Sequence, residues 1–140
     1  MKQRVLILCT GNSCRSQMAE GVLRHYGGDK FEVYSAGTQP SKVNETAIQV
    51  MKEIGINISG QKSKDVKQFL GQHFHYIITV CDKADKACPI FPGISQRLHW
   101  FFPDPPHDVE VTPQVLAEFR KIRDSIHTKF KNMAEAGKAE

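Results

Sequence analysis

A cysteine and an arginine with five residues between them, in the run Cys9-Thr10-Gly11-Asn12-Ser13-Cys14-Arg15-Ser16, are the side chains of this sequence best suited to act together. The apolar stretch Val5-Leu6-Ile7-Leu8 precedes the run and a helical pattern follows it, so the order reads strand, loop, helix. Successive backbone N–H groups in such a loop, the positive end of the following helix and the planar fork of Arg15 all favour a tetrahedral oxyanion. The same field favours a thiolate at Cys9, and the thiolate is the nucleophilic form of cysteine. The chemistry indicated is nucleophilic attack on a phosphate-like oxyanion bound by Thr10, Gly11, Asn12, Ser13, Cys14, Arg15 and Ser16. Cys14 lies within the loop, where its amide is useful whatever its thiol does, and is read as structural.

A second pair of cysteines adds a redox question. Tyr76-Ile77-Ile78-Thr79-Val80 has the β-branched, apolar character of a buried parallel strand and delivers Cys81 at its end; Cys88 follows after six residues. The intervening Asp82-Lys83-Ala84-Asp85-Lys86-Ala87 is compatible with a helix, with Asp82 as cap and Pro89 as stop. In a helix the two cysteines lie about 10 Å apart along the axis. A disulfide needs Cα atoms within about 7 Å. Bonding of Cys81 to Cys88 therefore requires the helix to unwind. The plainer alternatives are a buried cysteine acting as a small apolar residue and a zinc site, whose tight ligand spacing these cysteines do not match.

Taken together, Cys9 through Gly21, the Cys81/Cys88 pair, His99-Trp100 and Phe102-Pro103-Asp104-Pro105 resemble the thioredoxin-coupled arsenate reductases, which share the fold of low-molecular-weight protein tyrosine phosphatases. The resemblance runs from Val5 to about Phe130. It implies an α/β three-layer sandwich on a central four-stranded parallel sheet, with residues 1–140 forming one domain. It also implies that Cys9 attacks arsenate, that Cys81 and Cys88 relay the resulting disulfide to thioredoxin, and that Asp104 assists the leaving oxygen as general acid. Asp104 sits in the stiff segment Pro103-Asp104-Pro105-Pro106, suited to holding a carboxyl group over an anion site; an ordinary turn aspartate is the alternative. No tightly bound cofactor is implied. Relatives that hold a potassium ion beside the loop take ligands from counterparts of Asn12, Glu20 and Ser35, and from a hydroxyl and an acid near Lys62-Ser63-Lys64-Asp65. Here Lys62 and Lys64 intrude, so either an ammonium replaces the ion or the ion site is altered.

Three functions compete on these residues. A reductase needs Cys81 and Cys88; a tyrosine phosphatase hydrolysing phosphomonoesters needs only Cys9, Arg15 and Asp104; an anion-binding redox sensor would keep the cysteines without turnover. Tyrosine phosphatases of this fold usually carry tyrosines beside the acid, where this chain has Pro105-Pro106. That favours a small inorganic anion.

The elements that must position these groups follow from periodicity. Met18, Val22 and Tyr26 stripe a helix ending at Gly27-Gly28, and Phe31 to Ser35 is a strand. Val43 and Ile48 staple a cap at Asn44, and Ala47, Val50, Met51 and Ile54 continue that helix to Gly55. Val66, Phe69 and Leu70 mark a short third helix, Leu98 to Phe102 the last strand. Thr112-Pro113 opens a long helix with Val115, Phe119, Ile122, Ile126 and Phe130 inward, and the small, polar tail from Asn132 is expected to fray. Alternating strands and helices indicate a parallel sheet with helices on both faces, and ligands of such sheets bind at strand C-terminal ends.

The 140 residues, 40% hydrophobic, can bury one core. Neither a membrane span nor a secretory signal is seen, so a cytoplasmic, monomeric protein with thiols at rest is expected. The net charge of +4 belongs to an ordinary solvated surface rather than a nucleic-acid footprint, although Lys62, Lys64, Lys67, Lys83 and Lys86 would draw in oxyanions. The histidines show no metal-ligand pattern, and His99 is read as a packing or hydrogen-bonding partner near the loop.

Overall fold

Seven residues, Gln3–Cys9, form the first strand, β1, and bury Val5 through Cys9 without interruption, as a central parallel strand must when both faces are covered. The computed structural model describes residues 2–106 and 109–139. After β1 come α1 (Arg15–Gly27), β2 (Phe31–Gly37), α2 (Glu45–Glu53), a single 3-10 turn at Val66–Phe69, β3 (Tyr76–Thr79), α3 (Asp82–Lys86), β4 (Gln96–His99) and α4 (Pro113–Ala136). The four strands make one parallel sheet in the order β2-β1-β3-β4, with Leu8 opposite Ala36 on one side and Thr79 on the other. The chain thus reverses direction across the sheet between β1 and β3, where open α/β sheets leave a crevice for ligands. Cys9 and Cys81 both emerge there.

Strand alternation divides the core into two layers. Phe31, Val33, Val5, Tyr76 and Ile78 face the layer built from α1 and α4, where Gly27 leaves room for Ala134 and Phe31: a Cβ on Gly27 would stand 3.0 Å from one and 3.2 Å from the other. On the opposite face Tyr34 meets an aromatic group of Phe69, Phe74 and Phe91, and Thr79 meets α3. The result is the helix–sheet–helix layering expected of the sequence. Among the described residues no helix is long and apolar enough to cross a membrane.

Several local expectations hold for the anticipated reason. Asn44 caps α2 by accepting from the Ala47 amide, Gly55 takes a left-handed φ of 79° just past its end, and Thr112 caps α4 through the Val115 amide with Pro113 at the first turn. Others need correction. β4 covers Gln96–His99 rather than Leu98 to Phe102; beyond His99 only the alternate amides of Trp100 and Phe102 reach β3 and Val80, leaving Phe101 exposed. The third helix is only a 3-10 turn and Leu70 points to solvent. α3 is capped by Cys81, not Asp82, which is its first helical residue. The tail does not fray from Asn132: Met133 and Ala134 are buried, Lys30 Nζ donates to the Ala134 carbonyl, and Gly137 closes the helix in the left-handed region. Glu140 lies outside the described residues.

Candidate active site

The loop from Cys9 to Arg15 is held by a frame that sequence reading did not anticipate. Asn12 has a φ of 47°, strained for a residue with a side chain, and its amide is tied on every side. Its Nδ2 donates to Ser16 Oγ at 2.8 Å and Ser35 Oγ at 2.9 Å, while its Oδ1 accepts from Gln17 Nε2 at 2.9 Å and the Lys64 amide at 2.8 Å. Gln17 Nε2 also reaches the Asn12 and Lys62 carbonyls. Gly37 lets the end of β2 press against this loop, because a Cβ there would stand 2.5 Å from the Thr10 carbonyl oxygen. A turn that would relax in isolation is therefore fixed from three directions.

Behind the frame lies Glu20, almost fully buried. Ser35 Oγ donates to its Oε1, Arg24 Nη1 stands 2.6 Å from Oε2, and Lys64 Nζ stands 3.6 Å from Oε1 and 2.6 Å from the Lys62 carbonyl. The carboxylate already faces a guanidinium and an ammonium. These residues do not fit a potassium ion, since a third cation would be repelled at that point; Lys64 supplies the charge instead.

In front of the loop is a cavity of about 800 Å³ whose walls include Cys9, Ser13, Cys14, Arg15, Cys81 and Asp104. Arg15 donates from Nη1 to the Phe102 carbonyl at 3.0 Å, and its Nη2 lies 3.3 Å from Asp104 Oδ1. Its Nε is buried with no acceptor among the described residues. Such a donor is costly unless a ligand satisfies it. An oxyanion over the loop would do so. Asp104, half exposed, thus stands over the anion seat through Arg15. Cys14 is buried; its backbone oxygen accepts from the Met18 amide in the first turn of α1, and its sulfur lies 3.7 Å from Ser13 Oγ. The loop reading of Thr10 through Ser16 therefore gains a distinction: Asn12 and Ser16 turn away and build the frame, while Ser13, Cys14 and Arg15 reach the cavity wall.

All four cysteines are thiols, and two are coupled. Cys9 and Cys81 line one cavity across the gap between β1 and β3, and each thiol perturbs the other. The neighbouring Cys9 thiol is the largest influence on Cys81, whose pKa is lowered to about 5 with further help from the Thr10 hydroxyl 3.3 Å away, the Ala84 amide and Arg15. The neighbouring Cys81, and then burial, push Cys9 upward. The two thiols titrate as a pair, and their surroundings lower Cys81 and raise Cys9. Arg15 and the Thr10 amide pull Cys9 toward the thiolate as the loop reading expects, against its neighbour Cys81 and burial. Cys88 lies beyond α3, half-buried, with its pKa raised by burial and opposed by Arg97. The structure brings Cys9, Arg15, Cys81 and Asp104 to one cavity and leaves Cys88 at the far end of a folded α3. Gln17 and the Phe102 carbonyl are parts of the site that sequence reading missed; their partners Lys62 and Arg15 lie far away in the chain.

A family model described as low molecular weight phosphotyrosine protein phosphatase matches residues 4–140. An arsenate reductase of Halalkalibacterium halodurans is 45% identical over 137 residues, covering 98% of this chain and 99% of that protein. Among solved structures, an arsenate reductase in its oxidised state superimposes with a TM-score of 0.82 at 30% identity, over 96% of this chain and 98% of that one. A thioredoxin-dependent arsenate reductase of Corynebacterium glutamicum gives a TM-score of 0.72 at 27% identity, over 97% of this chain and 62% of that one.

Proposed function

The chain belongs to the low molecular weight phosphotyrosine protein phosphatase family, and we propose that within this family it is an arsenate reductase that works by a three-cysteine relay recycled by thioredoxin. The observation that carries the reading is that Cys81 joins Cys9, Arg15 and Asp104 in the wall of one cavity whose loop suits an oxyanion. Ester hydrolysis has no use for a second thiol beside the nucleophile. Reduction needs one.

Arsenate binds over the loop, where its oxygens take the Arg15 Nε and the loop amides. A proton passes from Cys9 to Cys81, leaving the charge on Cys9, which attacks arsenic. An oxygen leaves as water with a proton from Asp104, giving a Cys9 thiolate ester of arsenic(V). Cys81 gives the proton it took to the Asp104 carboxylate in the same cavity, becomes a thiolate again and attacks the Cys9 sulfur. The Cys9–arsenic bond breaks with its electron pair moving to arsenic, so arsenite departs and a Cys9–Cys81 disulfide remains. Cys88 attacks Cys81, Cys9 leaves as thiolate, and the Cys81–Cys88 disulfide is the species that thioredoxin reduces. The α3 helix must unwind for that last bond, since Cys81 caps its start, Cys88 lies beyond its end, and helical rise over that span is about 10 Å.

The test is arsenate-dependent NADPH consumption with thioredoxin and thioredoxin reductase, run beside glutathione with glutaredoxin and beside hydrolysis of a chromogenic phosphate ester. Turnover with thioredoxin that is lost in Cys81→Ser and Cys88→Ser, while ester hydrolysis survives, supports the reading. Ester hydrolysis without arsenate reduction would make the protein a phosphatase.

A further inference from the structure

The five-residue helix α3 buries one side chain, Ala84, and a helix of that length does not persist unaided. A run of side-chain hydrogen bonds fastens it to the sheet. Thr79 Oγ1, on β3, donates to Asp85 Oδ1 at 3.1 Å. The same oxygen lies 2.8 Å from Nδ1 of His99, its register partner on β4, and His99 Nε2 lies 2.8 Å from Asp82 Oδ1. Two carboxylates of the helix, at its first and fourth residues, are thereby tied to adjacent strands.

Three hydrogen bonds need three protons. The Thr79 hydroxyl has one and a neutral imidazole has one, so one contact in the run then goes unmade. An imidazolium supplies the third: Nε2–H to Asp82, Nδ1–H to Thr79, and the Thr79 hydroxyl to Asp85. The Leu98 carbonyl competes for that hydroxyl only at 3.4 Å. Asp82 and Asp85 of α3 favour the imidazolium; β3 presents only neutral Thr79; on the same strand and face, Arg97 opposes it.

We propose that His99, in its protonated form, is a positioning residue that clasps α3 as a helix, and that opening of this clasp is coupled to movement of the disulfide from Cys9–Cys81 to Cys81–Cys88. The inference rests on the relay described under Proposed function. In that step Cys88 thiolate attacks Cys81, the Cys9–Cys81 bond breaks, and Cys9 leaves as thiolate; three sulfurs exchange one disulfide with no external oxidant. Unwinding takes Asp82 and Asp85 from their partners, so the clasp favours the reduced enzyme and does so most when His99 is charged. An aspartate beside Cys81 then has a purpose that packing does not require, since its side chain is mostly exposed.

Wild-type protein, His99→Gln, Asp82→Ala and the double variant are equilibrated with dithiothreitol redox buffers near pH 6 and near pH 8, and the Cys81–Cys88 disulfide is quantified by mass spectrometry after alkylation. Near pH 6 each single variant should shift the equilibrium toward disulfide by about three- to tenfold, or about 15–30 mV at 29.6 mV per tenfold. Because protonation supplies the third proton of the clasp, the shift should be smaller near pH 8 than near pH 6, and the double variant should add nothing to the larger single effect. Equal equilibria in wild type and His99→Gln at both pH values, or additive effects in the double variant, overturn the clasp. Should His99→Gln fail to fold, the surface variant Asp82→Ala decides the matter by the same criterion. A wild-type protein that forms no Cys81–Cys88 disulfide overturns the relay, and the coupling with it, without reference to any variant.

Discussion

Replacing Arg15 by lysine keeps a positive charge at the anion loop and removes the fork that the structure uses in three directions. Nη1 donates to the Phe102 carbonyl at 3.0 Å, Nη2 lies 3.3 Å from Asp104, and the buried Nε has no acceptor among the described residues. A single ammonium cannot serve all three. Losing one charge-assisted bond to the oxyanion costs about 1.5–3 kcal/mol, and leaving the Phe102 carbonyl without a donor adds about 1–2 kcal/mol. Together about 2.5–5 kcal/mol are lost where charge develops, or about 10²- to 5 × 10³-fold in kcat/KM at about 1.36 kcal/mol per tenfold. Arsenate-coupled NADPH oxidation and phosphate-ester hydrolysis should fall by similar factors, because both anions occupy the same seat. A thermal melt run in parallel separates a catalytic defect from an unfolded protein. Folded Arg15→Lys with kcat/KM within about fivefold of wild type in both assays would refute the assignment of the loop as the anion site.

In Cys88→Ser a single turnover should release one arsenite and stop at a Cys9–Cys81 disulfide, with ester hydrolysis intact; mass spectrometry that finds a free Cys81 thiol after arsenite release removes the relay. Because Cys81 is held near pH 5, one thiolate should remain in the ultraviolet spectrum at neutral pH and disappear as pH falls through about 5. Cys9→Ala, which deletes the largest cause, should move that step upward by about one to two units, since a hydrogen bond to a charged group contributes about 1.5–3 kcal/mol; an unmoved step contradicts the coupling of the two thiols. With Lys64 Nζ already facing Glu20, kcat/KM in potassium chloride and in tetramethylammonium chloride at equal ionic strength should agree within about twofold. A several-fold activation by potassium would show that the ammonium does not take that place.

What this sequence settles by itself is whatever depends on neighbours in the chain. Strand, loop and helix around Cys9 to Ser16 follow from one apolar run and one helical stripe, and the caps at Asn44 and Thr112 need only a polar side chain three residues before an amide. The separation of Cys81 from Cys88, and hence the need to unwind between them, follows from helix rise alone. Pairing across the sheet is different, because nothing local says which strand lies beside which. Tertiary structure alone places β3 against β1, and with it Cys81 in the same cavity wall as Cys9, where each thiol perturbs the other. It alone converts Lys64 from a surface cation into the partner of a buried carboxylate, and assembles the frame of Asn12 from Ser16, Gln17, Ser35 and the Lys64 amide. The tail from Asn132 looked free because its residues are small and polar, yet Ala134 is buried for the reason that Gly27, far away in the chain, leaves space for it. Hydrogen bonds and packing between distant segments depend on register and layer order, which are properties of the whole fold rather than of any window of sequence.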